Sequence, residues 1–249
     1  MLTVGVDLAA EAERTAVAWI DWAADGARVG RVEVMAGDEL VIEAIMAADK
    51  AGVDCPLGWP DRFVDFVVAH RAGHVVPPAR GVAGRDWRRN LALRVTDQVV
   101  RDLTGRIPLS VSADRIGHTA MRCAGLLAEL AARGRPVDRG GDGVVVEVYP
   151  AAALQWWGLP SRRYKGAVNA AELGRVVDGL QAAAPWLDLG DFERLCRASD
   201  DAADAVVAAL TARAAALGKV TGPAPEQAAV ARTEGWIVLP TSPLSDLHG

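Results

Sequence analysis

Residues 2–60 constrain the topology more than any other stretch. "LTVGVDL" (2–8) alternates, with Val4, Val6 and Leu8 on one face and Thr3, Gly5 and Asp7 on the other, the period of a strand. "TAVAWIDW" (15–22) predicts a second strand and "RVGRVEVM" (28–35) a third, joined through the Asp-Gly turn of "AADGAR". Three strands on short connections make an antiparallel meander. "DELVIEAIMAADKAG" then reads as an amphipathic helix. Leu40, Val41, Ala44, Ile45 and Ala48 share one face, Asp38 is placed to cap it and Gly52 to end it. A fourth strand, "GVDCPLGWP" (52–60), is cut short by Pro56. A helix between strands of one sheet is a crossover, expected to be right-handed.

The remaining pattern fills in around that frame. Residues 61–140 read as a mostly helical insertion carrying "DRFVDFVVAHRAG", "RDWRRNLALRVTDQVVRDLTG" and "DRIGHTAMRCAGLLAELAARG". "DGVVVEVYP" (142–150) returns to strand. Helical spacing resumes in "AAALQWWG", in "AAELGRVVDGLQAAA" and from about 200 to 217, and "EGWIVLP" (234–240) fits a last strand. No repeat or linker divides the chain, so a single domain over 1–249 is expected. The expected class is α/β, a mixed five-stranded sheet of three antiparallel strands then parallel ones, with helices on both faces.

Bulk properties exclude several classes. The net charge is −5, which does not suit a uniformly basic nucleic-acid binder. Cys55, Cys123 and Cys196 are isolated and odd in number, so they read as reduced thiols and not as a disulfide framework or zinc knuckle. No uncharged apolar run reaches the roughly 18 residues of a membrane span, and the N-terminus lacks a signal-peptide pattern, so a cytoplasmic protein is expected. His70 and His74 have a zinc-like i, i+4 spacing but no third ligand.

Carboxylates sit where the pattern does not want them. Asp7 lies in the first strand, Asp54 at the end of the fourth, and Glu147 interrupts the apolar run "VVVEVYP". In "SDDAADAVVAAL" (199–210), Ser199 is a good N-cap and Asp200 and Asp201 suit a first helical turn. Asp204 lies beyond that turn. Asp201 and Asp204 share one helix face with Cβ atoms roughly 5–6 Å apart. A buried carboxylate costs several kcal/mol unless paired or metal-bound. One such acid is unremarkable because an Arg can satisfy it. Several at strand ends and a helix start could gather into an all-oxygen site for Mg²⁺ or Mn²⁺. Such a site requires carboxylate oxygens within about 5 Å of each other. Asp7, Glu147 and an aspartate of the late helix are expected within reach of one ion, and a Glu147 on the opposite sheet face from Asp7 would end this metal-site reading.

The stretches "VGVDLA", "VDCPLGWP", "RVTDQ", "PLSVSADRIG", "VEVYPAAAL", "YKG", "DDAADAVVAAL" and "EGWIVLP" together resemble a bacterial family of predicted nucleases with a ribonuclease H-like fold, domain-of-unknown-function family 429. The resemblance spans essentially the whole chain. "DDAADA" also looks like the late-helix segment of Holliday-junction resolvases of that fold, where paired aspartates bind metal. The resemblance implies Asp7 as the central ligand, with Glu147 and Asp204 or Asp201 beside it and Asp54 as a further candidate. It implies hydrolysis of nucleic-acid phosphodiester bonds by a two-metal mechanism.

Residues 80–122 hold nine arginines against Asp86, Asp97, Asp102 and Asp114, a net of +5 in a chain of net −5. That asymmetry suits a surface for phosphates. Solvated helix faces and internal pairs such as Arg94 or Arg101 with Asp97 would explain it equally. Arg94, Arg115 and Lys165 are the candidate substrate contacts. Two other classes stay open. One is a nucleic-acid-binding module of this fold without catalysis. The other is an actin-like ATP-binding protein, which needs glycines after the first-strand aspartate, where Leu8, Ala9 and Ala10 stand instead.

Overall fold

The computed structural model describes residues 1–248. Six strands form one mixed sheet in the order β5-β4-β1-β2-β3-β6. The strands are β1 (Leu2–Asp7), β2 (Ala16–Trp22), β3 (Ala27–Val34), β4 (Lys50–Asp54), β5 (Val145–Glu147) and β6 (Leu187–Asp188). β1 to β3 form the expected meander. β4 pairs in parallel with β1, and β5 lies beyond β4, also parallel. The sheet has six strands where five were expected. The addition is β6, two residues in parallel pairing with Ala27 and Arg28 of β3, too short to show a period in sequence.

Helix α1 (Asp38–Ala47) stops earlier than its pattern suggested. Gly52 does not end it but lies within β4, and Gly37 rather than Asp38 takes the N-cap position. The insertion carries α2 (Asp61–Arg71), α3 (Gly84–Ala92), α4 (Val95–Thr104) and α5 (Ile116–Ala132). α3 and α4 were expected as one helix. They part at Leu93 and Arg94, both extended, because the Arg94 side chain turns into the interior. After β5 come α6 (Pro150–Trp156), α7 (Ala170–Ala183), α8 (Glu193–Ala198), α9 (Asp200–Ala216) and α10 (Ala228–Glu234). The strand expected over 234–240 is reduced to isolated bridges, Ile237 beside Glu147 and Pro240 opposite Val220.

Two cores follow from strand alternation. Val4, Val6, Ala51 and Val53 pack with Ile42, Ile45, Leu126 and Leu130 of α1 and α5. On the other face, α9 meets Ala16, Ala18 and Ile20 together with residues of α6 and α7. α9 is apolar nearly all round and buried from Ala202 to Ala212, as a helix sealed between sheet and outer helices must be.

Gly5 and Gly52 let α9 lie directly on the strands. A Cβ on Gly5 would sit 1.9 Å from the Ala205 carbonyl oxygen and 2.3 Å from the Ala209 nitrogen. One on Gly52 would sit 2.5 Å from the Ala208 oxygen. The helix backbone therefore rests against bare strand. That contact sets the height of its first turns above the C-terminal ends of β1 and β4. No helix among the described residues is long and apolar enough to cross a membrane.

Candidate metal centre

Three elements far apart in sequence deliver three carboxylates to one point. Asp7 ends β1 and Asp54 ends β4, and the parallel register sets them side by side. Asp204 comes down from the second turn of α9, with 1% of its surface exposed. One carboxylate oxygen from each lies within 4.8 Å of the others, so the three could hold a metal ion.

Charge in this cluster is only partly neutralised. Lys165 Nζ lies 2.5 Å from Asp204 Oδ2 but without hydrogen-bond alignment, while the Tyr164 hydroxyl donates to Asp204 Oδ1 at 2.8 Å. Burial pushes Asp7 well above the usual carboxylate range, and the neighbouring charge of Asp204 adds to the effect. Burial also raises Asp204, against the pull of the Lys165 ammonium. Burial alone would lower Lys165, but the charges of Asp204 and Asp7 outweigh it and hold the ammonium well above its ordinary range. Fully ionised, three acids around one ammonium would carry an excess of negative charge; their raised pKa values express that strain, which a bound cation would relieve.

Asp54 is pushed up to about 7 from 3.8, chiefly by burial. An acid whose folded pKa is raised destabilises the fold above its unfolded pKa. That cost fades as the pH falls through the folded value. The metal-free protein should therefore gain stability as the pH is lowered from about 8 to about 6, and Asp54→Asn should flatten the change. Chemical denaturation at both pH values in EDTA checks this.

Glu147 is not part of the cluster. Its register partner is Val53, which shares the face of Val6, so Glu147 points away from the face of Asp7. The expected metal site of Asp7, Glu147 and a late-helix aspartate therefore does not form, and the carboxylates that do meet are a different set, with Asp54 in the place of Glu147. Arg94 occupies both of its oxygens, Nη2 to Oε1 at 2.6 Å and Nη1 to Oε2 at 2.8 Å, and the Leu57 backbone N–H donates to Oε2 at 3.0 Å. Arg94 is 1% exposed and also bonds Asp97 and the Glu234 carbonyl. It is thus a buried structural cation whose side-chain N–H donors are all used within the protein, which leaves none to hold a phosphate. Arg101 pairs with Asp102 and not with Asp97.

Asp201 is also spoken for. Arg14 grips it in a two-point contact, Nε to Oδ2 at 2.9 Å and Nη2 to Oδ1 at 2.8 Å. The remaining part of the aspartate helix behaves as read. Ser199 Oγ accepts from the Ala202 N–H, and Asp200 and Asp201 occupy the first turn. Of the five candidate acids, the structure gathers Asp7, Asp204 and Asp54. Lys165 joins them, and Arg115 stands exposed just before α5.

Three residues that hold the site went unnoticed in sequence. Tyr164 directly precedes the singled-out Lys165 and orients Asp204. Arg14 binds Asp201, 187 positions away, which no local spacing reveals. Gly5 was visible as the one residue without a side chain on the Asp7 face of β1, a signal of close approach.

No curated protein and no solved structure matches the chain. Residues 5–228 match the family model described as "Protein of unknown function (DUF429)", and that extent places the chain in this family.

Proposed function

We propose that the protein is a divalent-metal-dependent phosphodiesterase acting on nucleic acid or its fragments, with Mg²⁺ or Mn²⁺ held by Asp7, Asp54 and Asp204. The observation that carries this reading is the convergence of three carboxylates from β1, β4 and α9 within 4.8 Å. Hard oxygen ligands suit these cations. The order of strands β1 to β5, with α9 across the sheet, supports a ribonuclease H-like arrangement. Divalent ions there would supply an activated water and offset charge on the departing oxygen, the two-metal chemistry of phosphodiester hydrolysis. The chain itself positions the ligands. Tyr164 fixes Asp204, and Lys165 neutralises part of the cluster and offers a cation to a phosphate oxygen.

A non-catalytic binding module is favoured by one contact, the Lys165 ammonium serving Asp204 as a built-in counter-ion. One experiment separates the readings. Mn²⁺ at about 100 times its Kd should stabilise wild type by about 2.7 kcal/mol. For a chain of this size that corresponds to a rise in Tm of about 5–10 °C. Asp7→Asn and Asp204→Asn should lose most of that rise. Asp7→Asn in EDTA should melt at or above the wild-type temperature, because a buried charge is removed. Glu147→Gln, where it folds, should keep the metal response. A full Mn²⁺ shift in both aspartate variants, or no shift in wild type, would remove the basis of the metal reading. Hydrolysis of a generic phosphodiester by wild type but not by Asp7→Asn would exclude the non-catalytic module.

A further inference from the structure

A cleft of about 510 Å³ opens beside the triad, and Asp54 and Lys165 form part of its wall. Its volume falls within the range of about 300–1,000 Å³ in which proteins enclose a single small ligand. Pro56, Pro108, Leu109, Ile116 and Ile237 give it an apolar lining, and the half-buried Tyr149 supplies an aromatic ring. At its depth, Arg94 and Glu147 satisfy each other, so the interior does not call for a charged ligand. Cations gather in the remainder of the wall. Arg106 is held rigidly, with Nε on Gln155 Oε1 at 2.5 Å and Nη2 on the Ser161 carbonyl and hydroxyl at 2.6 and 2.8 Å. Arg162 and Arg163 lie exposed on the segment that presents Tyr164 and Lys165. Arg163 adopts a left-handed backbone, φ +56°, a strained state for a side-chain-bearing residue that folds tend to keep at functional sites.

We propose that this cleft seats one unpaired nucleoside unit, with its attached phosphate directed to Lys165 and the triad, so that the substrate is a free nucleotide or an end or unpaired residue of a strand. The fate of that phosphate rests on the phosphodiesterase reading, whereas binding in the cleft does not. An apolar, aromatic-lined cavity flanked by arginines matches a planar base carrying an anionic group, and stacking on an aromatic ring is tolerant of base identity. A base within a continuous duplex is held in its stack and cannot enter a concave site unless it is unpaired or extruded. The cleft therefore selects against intact duplex.

The test uses the full chain with Mn²⁺, and in parallel with EDTA. Adenosine 5′-monophosphate, a single-stranded tetranucleotide and a relaxed, covalently closed circular duplex, which has neither ends nor unpaired residues, are titrated at equal phosphate concentration by fluorescence or calorimetry. The free nucleotide separates a mononucleotide site from one that needs a strand. Either it or the tetranucleotide should bind at least about tenfold more tightly than the duplex, a difference of about 1.4 kcal/mol. Leu109 is 60% exposed, so Leu109→Glu should fold, keep the Mn²⁺ response and weaken the preferred ligand at least about tenfold. Tyr149→Ala should weaken it as well. Equal or tighter binding of the duplex, or unchanged affinity in Leu109→Glu, would overturn the proposal. Absence of an Mn²⁺ shift would fall on the metal reading alone, and the EDTA titrations would then score the cleft by the same criteria.

Discussion

Arg94→Met should cost about 3–5 kcal/mol, enough to consume much of the stability of an ordinary domain. Arg94 is the one cation between two fully buried carboxylates, bonding Glu147 through both terminal nitrogens and Asp97 through Nε and Nη2. It joins the start of α4 to β5 and, through the Glu234 carbonyl, to the end of α10. Removing it strands two negative charges away from water, and that uncompensated pair dominates the loss rather than the missing bonds themselves. The pH dependence provides a second signature. Burial already raises Glu147 against the pull of Arg94, and without Arg94 it rises further. Because a raised acid destabilises above its unfolded pKa, the deficit of Arg94→Met should shrink as the pH falls from about 8 to about 5. Denaturant midpoints at both pH values measure this. A deficit below about 1 kcal/mol would mean that the network does not hold the insertion to the sheet.

Gly5→Ala should be nearly as damaging, at about 3 kcal/mol or more, the upper end of overpacking effects. The added methyl would lie 1.9 Å from the Ala205 carbonyl oxygen, and its neighbours there are helix backbone that has no rotamer to escape into. α9 would have to lift from β1, carrying Asp204 away from Asp7. The variant should therefore lose its response to Mn²⁺ along with its stability. Gly125→Ala is the matched control. It lies within α5 with nothing within 4 Å of the new Cβ, and it should stabilise the protein by about 1 kcal/mol through helix propensity. If the two substitutions had similar effects, the close seat of α9 on β1 would be wrong.

The meander was legible from alternation and the Asp-Gly turn, whereas the place of the fourth strand beside the first followed from the resemblance of the element order to a ribonuclease H-like arrangement and not from the pattern itself. The acids were legible as a set but not as partners. Asp7 stood out as a charge in the middle of an apolar strand and Asp54 as one at a strand end; the structure ends β1 at Asp7, and the parallel register makes the two neighbours. Glu147 carries the same signal, a charge inside an apolar run, yet it serves an ion pair. Its partner Arg94 lies 53 positions away, and the face on which Glu147 points depends on where a three-residue strand begins. A one-residue shift in that start would have turned it toward Asp7. Asp201 was misassigned for a related reason. Three-residue spacing puts it on the face of Asp204, but only the folded loop before β2 brings Arg14 to claim it. β6 was illegible because a pair of residues has no period.

The seating of α9 also bears on when the protein becomes competent. Asp204 is made 197 residues after Asp7. Until α9 has been made, Gly5 and Gly52 expose an uncovered strip of sheet, and Asp7 and Asp54 stand together without Asp204. A ribosome-bound chain that ends before α9 would carry two of the three carboxylates. Contacts this distant in sequence are costly in loop entropy and tend to form late. The triad is therefore complete only once α9 has docked on the sheet. Sealed between the sheet and the outer helices, α9 is not an element that opens alone, so the triad should come apart only together with the core on that face, and any response to Mn²⁺ should be lost along with bulk secondary structure.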